Sequence, residues 1–467
     1  MKKKILVIGS GGREHAIIWK LSQSPMVGEI YCTPGNGGIA ALATCVPIKA
    51  TDVNAVVKFA KQNNFDLVVV APDDPLAAGM VDELEAAGMR AFGPRKAAAI
   101  LEASKQFSKD LMKKYGIASA EYEVFEDSGN AIEYLAKASF PIVVKADGLA
   151  LGKGVVIARN FEEASTAVRS MIDEKQFGES GSRVVIEEFM VGPEVSILAF
   201  TDGKTVVPMV SSQDHKRAYD NDEGPNTGGM GTFSPSRIYT PELAEQCMKD
   251  IFLPTIDAMN NEGRTFKGVI YFGLMLTKDG TKVLEYNARF GDPETQVVLP
   301  RLESDLYEIF EAVIDERLSE MEIKWSENSA VCVVMASGGY PGKYPTGLPI
   351  TGINKAEEDS SVLVFHAGTK VQTSGGAISG GCGGGGCGKC CGGGSPASDC
   401  AASTDTRDDY DDDSFPAMAA SLTTAGGRVL GVTALGENID SAREKAYAAV
   451  SKINFENAYF RKDIGIK

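Results

Sequence analysis

The segment Pro141–Ile157, PIVVKADGLALGKGVVI, constrains this chain most, because it sets a glycine-rich, lysine-bearing loop between two strand-like runs. The β-branched runs Ile142–Val144 and Val155–Ile157 predict a hairpin. Gly148, Gly152 and Gly154 would let its tip fold over an anion with exposed backbone N–H groups, and Lys145 and Lys153 add positive charge beside them. The pattern reads as a lid over nucleotide phosphates. A Walker A loop is excluded, since that motif needs GKS or GKT opening a helix, whereas Gly152-Lys153 is followed by Gly154 and a strand. A plain surface hairpin with solvated lysines has the same composition, so the loop alone does not decide between the two.

Two later segments shift the balance. In VVIEEFMVGPEVSIL, Glu187, Glu188 and Phe189 end one strand and Glu194 opens the next. In VLEYNARFGDPETQ, Glu285, Asn287 and Arg289 alternate along one strand and therefore share a face. Carboxylate and amide oxygens suit Mg²⁺, or Mn²⁺, and Mg²⁺ usually takes few protein ligands, filling its octahedron with water and nucleotide phosphates. An isolated Glu-x-Asn on a half-buried strand is ordinarily just its polar face. Behind a lysine-glycine lid and an acidic hinge, it reads as a metal site.

Residues 1 to about 101 alternate strand and helix patterns, among them KILVIG, EHAIIWKLSQ, EIYCT, NAVVKFAKQN and DLVVVA, which predicts a doubly wound α/β domain. Its first turn resembles a dinucleotide fingerprint, but Glu14 stands at the third glycine position. The second strand ends in Tyr31-Cys32-Thr33-Pro34, with no acid for a ribose hydroxyl. The pattern argues against NAD. A glycine turn opening a helix still offers a phosphate free N–H groups and a positive dipole end. His15, with no triad partner nearby, is expected to be a structural helix residue.

Four blocks then carry a resemblance: KILVIGSGGREHAIIWKL, QDHKRAYDNDEGPNTGGMGTFSP, EYNARFGDPETQVVLPRL and GGRVLGVTALG. Together they resemble the ATP-grasp superfamily and, within it, the phosphoribosylamine–glycine ligase (glycinamide ribonucleotide synthetase) family, over Lys4–Thr369 and Gly426–Ile466. The resemblance implies a multidomain α/β enzyme: an N-terminal substrate-binding domain (1–101), a split ATP-grasp unit (102–325) with its lid at 121–187, and a C-terminal α/β domain (326–467). The reaction implied joins glycine to 5-phosphoribosylamine with ATP, through glycyl phosphate, giving glycinamide ribonucleotide, ADP and phosphate in purine synthesis.

Site residues follow from the same resemblance. Lys105, Lys145 and the lysine loop would reach the nucleotide phosphates, Glu187 and Phe189 would flank adenine beside Glu188, and Glu194 would accept from the ribose hydroxyls. Pro193 stands where the family usually has an acid. Glu285 and Asn287 would hold the metal, and Arg289, Lys145 and Asp214 would stand closest to the chemistry. Gly11, Gly12 and Arg13, with Glu14 in the same turn and Pro34, Gly35 and Asn36 nearby, are assigned to the amine substrate and its phosphate. Asp214, Lys216, Arg217, Arg289, Asp292 and Glu294 would hold glycine and the ribose, and Asn221–Gly231 would be a loop closing over the acyl phosphate. The competing readings are another carboxylate-activating ligase, such as a biotin-carboxylase-like enzyme, and a non-catalytic nucleotide-binding descendant.

Bulk properties bound the partners. A formal net charge of −16 over 467 residues argues against a nucleic-acid or anionic-membrane surface, so phosphate must be bound by a local concentration of cations and backbone donors. The opening MKKKILVIGSGG is basic, but its apolar run stops at Gly9, so a cytoplasmic chain is expected, acting on small molecules as a monomer or weak homo-oligomer. Cys32, Cys45, Cys247 and Cys332 are scattered, as reduced core thiols are. Residues 375 to about 425 interrupt the pattern with glycine, serine and an Asp408–Asp413 acidic run, and read as an exposed, mobile insertion dispensable for catalysis. Its Cys382, Cys387, Cys390, Cys391 and Cys400 leave a metal clip as the alternative, and a misread stretch as a third.

Overall fold

The computed structural model describes residues 2–150, 154–372 and 421–466. Gly152 and Lys153 of the lysine loop, and the five cysteines of the insertion, lie outside the described residues.

The N-terminal region forms the expected parallel sheet. Lys3–Gly9 and Leu67–Val70 are mostly buried, as parallel strands covered by helices must be. Strand order runs Thr44–Cys45, Val27–Pro34, Lys3–Gly9, Leu67–Val70 and Ala91–Phe92, every pair parallel. The order reverses at Lys3–Gly9, so the crevice for ligands in such a sheet opens at the first turn. Helix Gly12–Leu21 begins there.

Antiparallel strands Tyr122–Phe125, Val184–Glu188, Ile142–Ala146 and Val155–Ala158 make a second sheet, in which the predicted hairpin is present with Lys145 opposite Val155. Helices Ser128–Leu135 and Phe161–Ile172, capped by Asp127 and Asn160, accompany it. Leu135 and Val168 join Ile142, Val144 and Ile186 in a hydrophobic core separate from the others. A third sheet, Val206–Pro208, Glu194–Thr201, Gly268–Thr277 and Gly280–Asn287, is also antiparallel and forms the floor under the hairpin lid.

The C-terminal sheet departs from expectation. Its order is Gln213–Asp214, Gly231–Ser234, Ser329–Ala336, Arg428–Gly436 and Val362–His366, so two strands come from a segment that the sequence placed within the ATP-grasp unit. The physical reason is Phe233, which sits opposite Val331 and is fully buried in the C-terminal core. Residues Asn221–Gly231 are correspondingly not a free closing loop. Arg217–Tyr219 and Glu223–Asn226 pair as a hairpin, and the fully buried Arg461 pins it by donating to the Arg217 carbonyl (3.1 Å) and to Asp222 (3.0 Å).

No helix among the described residues is long and apolar enough to cross a membrane. Cys32, Cys45, Cys247 and Cys332 are free thiols.

The first and last regions meet at two imidazoles. His15 Nδ1 accepts the backbone N–H of His366 at 2.8 Å, which fits the structural role expected of it. Burial, with the neighbouring His366 adding, pushes His15 down to about 3, and burial pushes His366 down to about 4. Both are bases with depressed values, so their contribution to stability is complete above the ordinary histidine value and is lost as pH falls from there toward 4 and 3. Each imidazole should remove about 1.4 kcal/mol of unfolding free energy per pH unit within that window. Urea unfolding at pH 7 and pH 5 should therefore show a smaller difference for His15→Gln than for the parent chain, and an equal difference would contradict the buried neutral pair.

Candidate active site

A cavity of about 920 Å³ lies between the lid hairpin, the antiparallel floor and the pinned hairpin. Lys105 stands at one end as the first residue of helix Lys105–Tyr115, behind Ser104, whose hydroxyl caps the helix by accepting the Phe107 N–H. Its ammonium donates to the Gly148 carbonyl at 3.2 Å. Burial, and then the nearby Lys145 ammonium, push Lys105 below the usual lysine value. Such a pair of cations out of water favours an anion between them.

Lys145 donates to Glu187 Oε2 at 2.9 Å, and Lys109 approaches the same oxygen at 3.2 Å. The other oxygen of Glu187 is buried without a partner among the described residues. Phe189 follows on the cavity wall, while the Glu188 carboxylate turns to Lys282 at 2.8 Å.

Glu285 and Asn287 lie on the edge strand of the floor, two residues apart and facing the same way. Arg289 is not on that strand as expected, because the strand ends at Asn287; its guanidinium folds back to donate to Asn287 Oδ1 at 3.3 Å. Lys216 bridges Glu285 (3.3 Å) and Glu194 (3.1 Å). That ammonium is the main reason Glu285 titrates at about 2, with Lys145 and Lys105 adding to it. No group of three His, Cys, Asp or Glu side chains among the described residues is placed to hold a metal. The Glu285–Asn287 pair offers two hard oxygens, the donor set of a cation whose remaining ligands are phosphate and water.

The other end is acidic. Asp214 is half-buried, and loss of water together with nearby Glu294 raises its carboxyl well above the usual range. Glu294 accepts from the Ser196 hydroxyl at 3.3 Å, and Ser196 lies 2.8 Å from the Tyr271 hydroxyl. Asp292 is clamped: one oxygen accepts from Gln296 at 2.6 Å, the other pairs with Arg428 at 2.9 Å, and its carbonyl accepts from Arg428 at 2.7 Å.

Comparison with known proteins bears directly on this arrangement. Family models of phosphoribosylglycinamide synthetase match the chain in three parts, the N domain over residues 3–102, the ATP-grasp (A) domain over 103–295, and the C domain over 330–383 and 398–467. A phosphoribosylamine–glycine ligase from Caldanaerobacter subterraneus subsp. tengcongensis is 43% identical over 461 residues, covering 99% of each chain. The chain belongs to the phosphoribosylamine–glycine ligase family. The ligase of that name from Escherichia coli O157:H7 is 43% identical across 99% of this chain and 98% of its own. A crystal structure of the phosphoribosylamine–glycine ligase from Thermotoga maritima superimposes with a TM-score of 0.76 at 31% identity, covering 98% of this chain and 99% of that one. The biotin carboxylase domain of a Hydrogenobacter thermophilus 2-oxoglutarate carboxylase shares the fold, with a TM-score of 0.66 at 15% identity over 98% of this chain and 92% of its own.

The family's C-domain match leaves only 384–397 uncovered between its two parts, a narrower gap than the 375–425 interruption read from the sequence. Within this phosphoribosylamine–glycine ligase fold, several expected site residues prove to be occupied. The Asn36 amide donates to the Ser10 and His366 carbonyls at 2.8 Å, and its oxygen accepts from the Gly38 and Ile39 N–H groups at 2.9 Å. That exhausts its side chain, which anchors the turn to the C-terminal region instead of presenting itself to a substrate. The Gly11 N–H is taken by the buried Glu14 carboxylate at 2.5 Å, so Glu14 caps the turn and Gly11 is not a free donor. Gly35 donates to the Gly9 carbonyl at 3.1 Å, and Pro34 ends the second strand. Gly12 is packed against Gln296: a Cβ there would lie 2.5 Å from its Nε2 and 3.6 Å from an Asp292 oxygen. Arg13 keeps a buried Nε without a partner among the described residues. Arg217 turns to the Gly224 carbonyl at 2.8 Å within the hairpin, and the Gly148 N–H donates to Ser180 at 3.1 Å instead of facing the tip.

Two site residues escaped the sequence reading. Arg428 is one, marked only by its place at the head of GGRVLGV, a polar residue opening an apolar strand. Glu102 is the other, an acid in the short helix Lys96–Ala103 with no motif around it.

The Arg428–Asp292 pair joins the C-terminal sheet to the loop after strand Gly280–Asn287, with side chains 20% and 13% exposed. Arg428→Met leaves Asp292 largely buried without its cation, and should lower unfolding free energy by about 3–5 kcal/mol. The double variant with Asp292→Asn should lose less than the two single losses added together. Urea unfolding of the four proteins tests this, and strict additivity would mean the pair is not coupled.

Proposed function

We propose that the chain ligates glycine to 5-phosphoribosylamine using ATP, releasing glycinamide ribonucleotide, ADP and phosphate, a step of purine synthesis. The observation that carries this reading is one cavity that joins three chemistries: the Lys105–Lys145 cations, the Glu285–Asn287 oxygens with Arg289 beside them, and the neighbouring acids Asp214 and Glu294. Family membership supplies the reaction class.

A carboxylate does not react with an amine at neutral pH, because oxide would have to leave. Transfer of the terminal phosphoryl group of ATP to the glycine carboxylate makes glycyl phosphate, in which phosphate is the leaving group. In this reading the adenine lies near Glu187 and Phe189, the ribose near Glu194, and the phosphates over Lys105 and Lys145. Glu285 and Asn287 would hold a divalent cation, Mg²⁺ or Mn²⁺, which would supply neutralisation of phosphate charge. Arg289 offsets charge on the transferring group from the other side. Asp214 and Glu294, two neighbouring acids, hold the glycine ammonium and so aim its carboxylate at the phosphates. Arg13, whose Nε has no partner among the described residues, holds the phosphate of the amine substrate. Its nitrogen then attacks the acyl carbon, a C–N bond forms as the C–O bond to phosphate breaks, and the nitrogen gives up a proton. The lid covers the acyl phosphate against water.

ADP release, measured with glycine and freshly made phosphoribosylamine, should depend on both. Release that ignores glycine and follows bicarbonate would replace this reading with a biotin-carboxylase-like one. In the same assay Glu285→Gln should lose nearly all activity, because it removes the charge of a metal ligand. Asn287→Asp, which adds a charge there, should lose only part. Near-normal turnover of Glu285→Gln at ordinary Mg²⁺ would sink the metal assignment.

A further inference from the structure

We propose that Glu102 is a positioning residue, which holds the Arg289 guanidinium in register for the phosphoryl group. This rests on the reading of Arg289 given above.

Glu102 lies next to the end of helix Lys96–Ala103, three residues before Lys105, with its side chain 7% exposed. Its two oxygens are divided between backbone and side chain. Oε2 accepts the N–H of Ala288 at 2.7 Å, which fixes the chain at the point where the floor strand stops. Oε1 pairs with Arg289 Nη2 at 2.8 Å. One carboxylate therefore sets both the path of the backbone that carries Arg289 and the direction of its guanidinium.

The remaining contacts of that guanidinium are longer. Nη2 also reaches Asn287 Oδ1 at 3.3 Å, and Nη1 reaches the Phe290 carbonyl at 3.3 Å, while the Asp73 carboxylate is 3.9 Å away. Glu102 is thus the anionic partner at hydrogen-bond distance. Without its charge, the nearest remaining anion is the Asp73 carboxylate at 3.9 Å, and the guanidinium is free to move toward it. A charge-assisted contact is shorter and stronger than a neutral one, so the Glu102 carboxylate holds Arg289 where an amide in its place does not. Glu102 also sits on the same short stretch as Lys105, so the lysine at one side of the phosphates and the arginine at the other are referred to one piece of chain.

The test is a double-mutant cycle on the full-length chain, read by steady-state ADP release. Glu102→Gln keeps an acceptor for the Ala288 N–H and removes the charge facing Arg289. Its kcat should fall by at least about tenfold, with the KM values for glycine and phosphoribosylamine moving by less than about twofold. In an Arg289→Ala background the same change should cost less than about twofold, because a residue acting through Arg289 has nothing left to position. Wild-type kcat in Glu102→Gln, or the same fold-loss in both backgrounds, would overturn the inference. If Glu102→Gln does not fold, as judged by its melting transition, Glu102→Asp carries the cycle with the same criterion. A parent chain without glycine-dependent ADP release would refute the ligase reading itself, whereas an active parent with an indifferent Glu102→Gln would refute this inference alone.

Discussion

The Glu285 carboxylate, ionised among three ammonium groups, is the interaction on which the cleft depends. Lys216 reaches it from the hairpin region, Lys145 from the lid and Lys105 from the head of a helix, so three separate pieces of chain face a single acid. Lys145 also pairs with Glu187 and Lys216 with Glu194, so two of the three ammonium groups have a second acid, while Lys105 has no carboxylate at ion-pair distance among the described residues. Lys105 is therefore the cation left to meet an incoming anion. At the far end burial and the nearby Glu294 raise Asp214, with Lys216 and Arg428 acting against them.

How much of this was legible in the sequence depended on the range of the signal. The lid hairpin and the N-terminal parallel sheet were readable because their evidence is local: β-branched runs, glycine turns and helix periods within a few residues. Glu285 and Asn287 were readable for the same reason, as alternation on one strand. Arg289 was read as continuing that strand because alternation does not reveal where pairing ends. Arg428 was not readable: its partner Asp292 lies 136 residues away, and a lone arginine before an apolar run is what many strands carry. Glu102 was hidden in the same way, as its contacts to Ala288 and Arg289 span a comparable distance.

Some residues looked functional because their types are those of functional turns. Asn36 and Glu14 sit in a glycine-rich loop, where amides and acids commonly meet ligands, yet both satisfy backbone N–H groups that would otherwise be buried unpaired. Composition cannot separate these uses, because a turn that must be built and a turn that must bind call for the same donors and acceptors. Only the count of filled hydrogen-bonding positions distinguishes them.

The C-terminal sheet has one consequence that concerns synthesis of the chain. Asp214 lies on the edge strand Gln213–Asp214, which pairs with Gly231–Ser234, and that strand in turn pairs with Ser329–Ala336 and, beyond it, Arg428–Gly436. A nascent chain emerging from the ribosome to the end of the ATP-grasp match at residue 295 would already contain Lys105, Lys145 and the strand that carries Glu285 and Asn287. It would still lack the inner strands of the sheet on whose edge Asp214 sits. The wall of the cavity that carries Asp214 is therefore completed only when one of the last strands of the polypeptide has been made.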